Sequence, residues 1–347
     1  MRVAIINPPL AGHEMRGTGV YTQNLIASIE LIPGVEVISS EVTHLPRNVD
    51  LIHFPYFDPF FLTLPFFRGK KSIVTIHDLI PIKYAQHFPR GIKGEIKWQI
   101  QRFIARQTDA IITDSRASAE DIVTFIGIEK TKIFRIPLAP SPQFLKSKDK
   151  SSYEHIREKY HLPNKFVLYV GDMNWNKNVS HIIEAITEVK VPLVIVSKSF
   201  VERHDTSYNP WKESLLEAQM LAKNNQLIHK IGHIPQEELI GLYKLAACLV
   251  FPSFYEGFGL PVVEAFATGC PVVSSSGGSL AEIVGDAAYI VDPAEVKTIV
   301  EGIKEILTNA ELKRQLVSKG YKQVKKFTWS KTAAETANVY KSVLNTP

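Results

Sequence analysis

The sequence predicts an α/β protein made of two doubly wound, Rossmann-like domains. Short apolar runs rich in β-branched residues alternate with amphipathic helical patterns along the chain, and such alternation is typical of parallel sheets covered by helices on both faces. The runs fall into two successive sets. Between the sets, residues 140–152 are rich in Pro, Ser and Lys and break the periodicity. The predicted domains are therefore 1–150 and 151–329, with a final helix at about 330–347 that packs back on the first domain.

Each predicted strand is a short apolar run that ends where a loop or a helical pattern begins. The strands of the first domain are Val3–Asn7, Val35–Ser39, Leu51–His53, Ser72–Ile76, Ala110–Thr113 and Lys132–Ile136, and those of the second are Phe166–Val170, Leu193–Val196, Leu227–Lys230, Cys248–Phe251, Val272–Ser274 and Ala288–Val291. After the last strand, Trp329–Leu344 carries an apolar stripe at helical spacing, which predicts the terminal helix.

The composition excludes several classes of protein. Hydrophobic residues make up 45% of the chain and charged residues 22%, the balance of a globular protein. Two cysteines without a CxxC spacing give no disulfide framework and favour a reducing cytoplasm. No apolar run reaches the roughly 18 residues of a membrane span, and the first apolar stretch is short enough to be a strand rather than a signal peptide.

The charge is distributed unevenly between the two halves of the chain. Residues 1–160 hold 21 Lys and Arg against 16 Asp and Glu, which accounts for the whole net charge of +5. An acidic partner would therefore meet the N-terminal half. An excess this small, without a recognition motif, argues against nucleic-acid binding.

The strongest chemical motif follows the strand that ends at Phe251. A loop with two glycines leads to Pro261, which suits the start of a helix, and Gly269 suits its end. The N-terminus of such a helix offers free N–H groups and a partial positive charge to a diphosphate. Glu264, one turn inside, can reach the hydroxyls of a ribose, and Glu256 would face the other end of the same ligand. The alternative is an ordinary corner with Glu256 solvated and Glu264 interacting only with the helix dipole.

This segment resembles the E-x7-E signature of the retaining nucleotide-sugar glycosyltransferases of family 4, which have the GT-B fold. Weaker similarity continues from the opening strand through Phe327–Trp329. The resemblance implies two Rossmann-like domains whose sheets face a central cleft. It also implies that Glu256 contacts the transferred sugar and Glu264 the ribose. The further donor contacts that it implies are Gly257, Phe258, Gly259 and Leu260.

The donor diphosphate is expected to meet basic residues after the first strand of the second domain. In the family this loop supplies two cations, of which Lys177 matches one. The expected arginine is missing, since Asp172 and Asn176 stand at the two positions where it could lie. Lys198, just after the next strand, is a candidate replacement, although a solvated loop lysine is the plainer interpretation. For the nucleotide base, Ile231 and His233 are weak candidates, and UDP and GDP both remain possible.

Three further segments lie in the first domain. Gly17 and Gly19 precede the predicted helix 21–30, and in the family a similar loop closes over the donor phosphates; a plain tight turn is the alternative. His77 ends a strand in a context that resembles the family's cleft histidine. Asp78 could orient His77 or cap the following turn. Ser115, after another strand, fits either a site loop or a helix N-cap.

Residues 83–106 combine basic side chains with an apolar stripe. Such a helix either covers the sheet or contacts an anionic membrane surface. The aromatic segment 54–67 just upstream suits a hydrophobic or lipid-linked acceptor. Peripheral contact with the inner face of a membrane is therefore one hypothesis.

The sequence thus predicts a retaining glycosyltransferase of polysaccharide or glycolipid biosynthesis. It would move a hexose from a UDP- or GDP-sugar to a hydroxyl of a saccharide or lipid-linked acceptor by a front-face mechanism. The catalytic candidates are Glu256, His77 and Lys177. The resemblance implies that no metal ion is needed, and no cofactor is expected because the nucleotide sugar is itself a substrate. The alternatives are a nucleotide-sugar epimerase on the same fold and a non-catalytic sugar-binding protein.

Overall fold

The computed structural model describes residues 1–8, 17–66, 68–146, 148–201 and 209–346. The chain forms two compact units, the first made of residues 1–139 and 327–347 and the second of residues 140–326. The chain therefore completes the second unit before its last helix returns to the first.

Each unit contains a six-stranded parallel sheet, and the strands match the predicted set with ends that differ by at most one residue. The first sheet has the order β2-β1-β3-β4-β5-β6 and consists of β1 (Arg2–Ile6), β2 (Glu36–Ser40), β3 (Leu51–Phe54), β4 (Lys71–Thr75), β5 (Ala110–Thr113) and β6 (Ile133–Arg135). The second has the order β12-β11-β10-β7-β8-β9 and consists of β7 (Val167–Val170), β8 (Leu193–Val196), β9 (Ile228–Ile231), β10 (Cys248–Phe251), β11 (Val272–Ser274) and β12 (Tyr289–Ile290). The predicted fold class is confirmed.

Helices lie in most of the connections between the parallel strands, although the described residues between β2 and β3 and between β3 and β4 form none. The helices are α1 (Gly17–Ile29), α2 (Ile80–Lys83), α3 (Gly91–Arg106), α4 (Arg116–Asp121), α5 (Pro142–Leu145), α6 (Glu154–Lys159), α7 (Val179–Val189), α8 (Lys198–Val201), α9 (Glu213–Leu221), α10 (Gln236–Leu245), α11 (Leu260–Thr268), α12 (Leu280–Val284), α13 (Val296–Thr308), α14 (Ala310–Val324) and α15 (Trp329–Asn345). Short 3₁₀ turns lie at 130–132, 150–153, 175–177 and 210–212, and a π-helical turn follows α4 at 122–126.

The strand orders place a switch point in each sheet. In the second sheet, β7 is followed along the chain by β8 and β9 on one side, and the chain then crosses to β10 on the other. The loops that follow β7 and β10 therefore leave the same sheet edge in opposite directions. Ligands of open parallel sheets bind in this kind of crevice. The corresponding point of the first sheet lies between β1 and β3, and residues 9–16 after β1 are outside the described residues.

The terminal helix α15 is part of the polar interior of the first unit. Tyr340 on α15 is fully buried, and its hydroxyl lies 2.7 Å from Nδ1 of His53 on β3. The other ring nitrogen of His53 lies 2.8 Å from the Thr75 hydroxyl, which is 3.2 Å from the Tyr21 hydroxyl on α1. Burial lowers the pKa of His53 to about 3, so the ring is neutral and depends on these two partners.

Tyr340→Phe should lower the free energy of unfolding by about 1–3 kcal/mol, because it leaves a buried ring nitrogen of His53 without a partner. Chemical denaturation would measure the change. Tyr321→Phe on α14 is the matched control, since Tyr321 is partly exposed, and should change stability by less than about 0.5 kcal/mol. Equal effects of the two substitutions would show that the His53–Tyr340 contact does not stabilise the unit.

Candidate active site

The loops after β7 and β10 are joined by side-chain amides. Asn176 donates from Nδ2 to the Tyr255 carbonyl at 3.0 Å, and the backbone carbonyl of Asn176 accepts the Phe254 N–H at 2.8 Å. Asn178 donates to the Pro252 carbonyl at 3.1 Å while it adopts the left-handed conformation (φ 57°), which asparagine tolerates well. These bonds hold the residue between the two asparagines, Lys177, at a fixed place beside the second loop.

Lys177 and Glu256 form an ion pair at this switch point. The Lys177 Nζ lies 2.8 Å from both carboxylate oxygens of Glu256 and 5.3 Å from the centre of the Phe251 ring. The Glu256 side chain is buried and that of Lys177 keeps 20% of its surface exposed. Two residues that the sequence assigned separately to the sugar and to the diphosphate therefore lie in direct contact.

A tight turn at 277–279 fixes the backbone of Glu256. The Glu256 carbonyl accepts the Ser279 N–H at 3.0 Å, and the Ser279 hydroxyl donates to the Phe258 carbonyl at 2.8 Å. Gly278 has a φ of +62°, and a Cβ there would stand 2.5 Å from the Glu256 carbonyl oxygen. The turn can approach Glu256 only because position 278 is a glycine.

The predicted glycine loop ends at the N-terminus of α11. Gly259 is the N-cap in the left-handed region (φ 97°), and a Cβ there would lie 2.7 Å from a methyl group of Leu280. The helix starts at Leu260, one residue before the predicted start at Pro261, and ends at Thr268, with the predicted Gly269 as its C-cap. Because the N-cap residue Gly259 has no side chain, it gives the first N–H groups of α11 no side-chain acceptor.

Glu264 lies one turn into α11 and contacts Tyr243 of α10. The Tyr243 hydroxyl donates to Glu264 Oε2 at 2.9 Å. Glu264 keeps part of its surface in solvent, but its carboxyl group lies deep in the protein. Burial raises the pKa of Glu264 to about 8, although the hydrogen bond from Tyr243 acts in the opposite direction. At neutral pH the carboxyl is therefore largely protonated and can both donate and accept hydrogen bonds.

The two positions where the family arginine was expected do not supply a cation. Asn176 is buried and its amide is used by the Tyr255 carbonyl, as described above, while Asp172 is exposed. Lys198 is exposed at the start of α8, directly after β8. Because β8 pairs with β7 in parallel, Lys198 lies at the same end of the sheet as the Lys177 loop, where the strands have their carboxyl ends. The assignment of Lys198 to diphosphate binding stays a prediction.

The candidates for base binding follow β9 at the same edge. Ile231 is buried at the end of the strand, and its carbonyl accepts the Ser197 N–H at 2.9 Å. His233 is exposed in the following loop. Their assignment to the base stays a prediction.

In the first unit, the predicted start of α1 is wrong. The helix begins at Gly17, so Gly17 and Gly19 lie in its first turn rather than in a loop before Tyr21. Two glycines disfavour a helix, but packing against α15 outweighs this local preference, since Tyr21 contacts Trp329 at a ring separation of 6.0 Å. Arg16, which precedes them, lies outside the described residues.

His77 pairs with a carboxylate that the sequence did not assign to it. Its Nδ1 lies 2.6 Å from Oδ2 of Asp114, which follows β5 as His77 follows the neighbouring β4. Asp78 instead accepts the Ile80 N–H at 3.0 Å and so caps the turn before α2. Ser115 is the N-cap of α4 and accepts the Ser118 N–H at 3.0 Å. Parallel neighbouring strands bring their carboxyl ends together, and this rule could have revealed the pair.

The helix α3 has two different faces. Trp98, Ile104 and Ala105 are buried against the sheet, whereas Ile92, Ile96 and Phe103 are 82%, 55% and 57% exposed. The apolar stripe predicted for residues 83–106 is thus divided between the interior and the surface. Phe61, Leu62 and Phe66 are also exposed, and Lys97 stands 5.3 Å from the centre of the Phe61 ring. Phe67, the end of the predicted aromatic segment, lies outside the described residues.

The described part of the chain contains no candidate for a membrane-spanning helix and none for a metal site. None of its helices is both long and apolar enough to cross a membrane. No group of three or more His, Cys, Asp and Glu side chains in the described ranges has the arrangement of a metal site.

Solved structures define the fold class. Anabaena Alr3699/HepE in complex with UDP and glucose superposes with a TM-score of 0.73 at 14% identity, covering 98% of this chain and 99% of that one. Sucrose-phosphate synthase from Thermosynechococcus elongatus gives a TM-score of 0.73 at 19% identity over the full length of both chains. The protein therefore has the GT-B fold.

Sequence comparisons then define the family. The model "Glycosyltransferase Family 4" matches residues 34–139, and "Glycosyl transferases group 1" matches residues 152–323. The two models together cover most of the chain, so the chain belongs to the glycosyltransferases of family 4 and is a glycosyltransferase. O-antigen chain mannosyltransferase B of Escherichia coli is 29% identical over 79% of this chain and 71% of its own length. MMP alpha-(1->4)-mannosyltransferase of Mycolicibacterium hassiacum is 27% identical over 71% of this chain and 57% of its own length. Serotype-specific mannosyltransferase WbdA of Escherichia coli is a longer protein, and this chain spans 32% of its length.

Glu264→Gln should make the stability less dependent on pH. A raised pKa means that the folded state binds a proton more tightly than the unfolded chain, so wild-type stability falls as pH rises from about 4.5 to about 8. The variant cannot ionise, so its stability relative to wild type should rise over that window, by no more than about 1.4 kcal/mol per pH unit.

Chemical denaturation of both proteins across this window would measure the difference. Glu301→Gln, which changes an exposed carboxyl on α13, is the control. A constant difference between wild type and Glu264→Gln from acid to alkaline pH would contradict the assignment of a buried, largely protonated Glu264.

Proposed function

We propose that this enzyme transfers a hexose, with retention of configuration, from a nucleotide diphosphate sugar to a hydroxyl of a saccharide or lipid-linked acceptor, without a metal ion or a cofactor. The names of the relatives support mannose as the sugar and O-antigen-type polysaccharides as products. The donor nucleotide would be GDP or UDP. The observation that carries the proposal is the Lys177–Glu256 ion pair at the switch point of the second sheet, beside the N-terminus of α11.

The geometry suits departure of a nucleoside diphosphate. An ammonium group has three N–H donors, and binding both oxygens of Glu256 leaves at least one for a phosphate oxygen. The first N–H groups of α11 add further donors and a partial positive charge. Donors that are already in place stabilise negative charge as it develops, without reorganisation during the reaction.

Glu256 would act on the sugar rather than on the phosphate. Its buried carboxylate is held by Lys177, and its backbone is held by the turn at 277–279, so the carboxylate oxygens can accept hydrogen bonds from sugar hydroxyls at a fixed position. Glu264 would bind the ribose hydroxyls one helical turn away. In a front-face displacement the departing phosphate itself takes the proton of the acceptor hydroxyl, so no further base is required on this side.

Lys177→Ala and Glu256→Gln should each lower kcat by about 10²-fold or more, because each removes a positioned group that acts on developing charge. The measurement is transfer from radiolabelled GDP- and UDP-mannose to a panel of saccharide and lipid-linked acceptors. Lys159→Ala is the matched control, since Lys159 forms a 2.7 Å ion pair with Glu238 on the surface of the same unit. Its activity should stay near wild type.

Thermal melting must accompany these assays, because removal of one partner from a largely buried ion pair also destabilises a protein. Full activity of either site variant would contradict the assignment. Incubation with donor alone separates the alternatives: an epimerase would convert it without an acceptor. The anomeric configuration of the product, determined by NMR, decides whether transfer proceeds with retention.

We further propose that the exposed face of α3 contacts an anionic membrane surface and so brings the enzyme to a lipid-linked acceptor. Three large apolar side chains protrude from this face, and Lys93, Lys97 and Arg102 lie on the same helix. Apolar groups flanked by basic residues bind at the interface of anionic bilayers.

Replacement of both Ile96 and Phe103 by Ser should weaken binding to phosphatidylglycerol vesicles severalfold, because it removes apolar surface that would insert between the headgroups. Flotation at low and high salt measures the binding. Met220→Ser is the control, since Met220 is 75% exposed on α9 of the other unit. Wild-type protein that does not float, or that floats equally with zwitterionic vesicles, would contradict this proposal.

A further inference from the structure

The His77–Asp114 pair has the geometry of an imidazole that is oriented by a carboxylate. The 2.6 Å contact is between Nδ1 of His77 and Oδ2 of Asp114. The Asp114 side chain is 3% exposed and the His77 side chain 18% exposed. Because a carboxylate only accepts hydrogen bonds, Nδ1 carries the proton in this contact. The remaining ring nitrogen, Nε2, is then free to accept a hydrogen bond when the ring is neutral.

That second ring nitrogen makes no hydrogen bond of standard geometry to any residue that the structure describes. Nε2 of His77 is buried, and so is the second oxygen of Asp114, which also lacks a partner within the described ranges. Buried polar atoms are nearly always hydrogen-bonded, and exceptions are found at functional sites. The orientation of the ring is nevertheless well defined. The edge-to-face ring of Tyr21 lies 4.8 Å away at 88°, and the Tyr21 hydroxyl is itself held by Thr75.

We propose that Asp114 is a positioning residue: it holds His77 in the Nδ1–H tautomer so that Nε2 accepts a hydrogen bond from a hydroxyl of a bound sugar substrate. The substrate class rests on the proposed function, whereas the role of Asp114 in fixing the ring does not. The carboxylate orients the ring but does not touch the substrate. Asp114 lies 37 residues from His77 in the chain, and the fold brings the two side chains into contact.

The charges around the ring determine how its state depends on pH. Burial disfavours the imidazolium, but the Asp114 carboxylate and its hydrogen bond outweigh burial and raise the pKa of His77, with smaller contributions from Asp78 and the backbone of Pro55. Tyr21 on α1 and His53 on β3 are the other titratable groups nearby, and both are neutral near pH 7. Without the Asp114 charge, burial would dominate and the pKa of His77 would fall.

Asp114→Asn tests the proposal by two measurements. In ¹⁵N NMR spectra of wild-type protein, with the His77 signals assigned by comparison with His77→Gln, the neutral ring should carry its proton on Nδ1 and should titrate above its ordinary range. In the variant the pKa of His77 should drop below that range. Kinetically, kcat/KM should fall about 10-fold to 10²-fold, as for a misplaced reacting group, and the acid limb of the pH profile should move to lower pH.

Asp121→Asn is the matched control, because Asp121 is also a buried carboxylate of the first unit, paired with Lys83 at 2.8 Å. It should leave the His77 titration and the acid limb unchanged, whereas a purely structural role of Asp114 would lower stability without moving either. A wild-type ring with its proton on Nε2, or a His77 titration that Asp114→Asn leaves unchanged, would overturn the inference. If wild-type protein transfers no sugar from any donor, the proposed function fails, and the NMR titration still decides the role of Asp114.

Discussion

The ion pair between Lys177 and Glu256 is the contact on which the candidate donor site depends. It joins the loops after β7 and β10, which leave the second sheet on opposite sides of its switch point. Asn176 and Asn178 secure the first loop, and the turn at 277–279 secures the second. Three separate segments of the chain therefore converge to fix one ammonium group and one carboxylate.

The pairing has opposite consequences for affinity and for geometry. Glu256 neutralises part of the charge that Lys177 could offer to a diphosphate, and the expected arginine is absent. Conversely, the carboxylate holds the ammonium in a single position, and fixed dipoles and charges stabilise developing charge better than mobile ones. Burial raises the pKa of Glu264 to about 8, which reduces the negative charge that this carboxyl carries near neutral pH. The N-terminus of α11 and Lys198 are further positive groups at this end of the sheet.

The sequence was sufficient to predict the sheets, because each central strand is a continuous apolar run and buried parallel strands require this pattern. It also identified both members of the central ion pair, but not that they touch. Contact between residues 79 positions apart depends on how the two loops are anchored. Asp114 was missed for the same reason, although its place after a strand next to that of His77 was a usable signal. The face of α3 could not be predicted, because its apolar residues cover more than one side of the helix.

Hydrogen–deuterium exchange in the presence of nucleoside diphosphates tests the location of the donor site most directly. If GDP or UDP binds as proposed, exchange should slow at residues 171–178 and at the first amides of α11, and the effect should vanish in Lys177→Ala. Slower exchange confined to the first unit, or slower exchange at these segments that persists in Lys177→Ala, would contradict the central role of the Lys177–Glu256 pair.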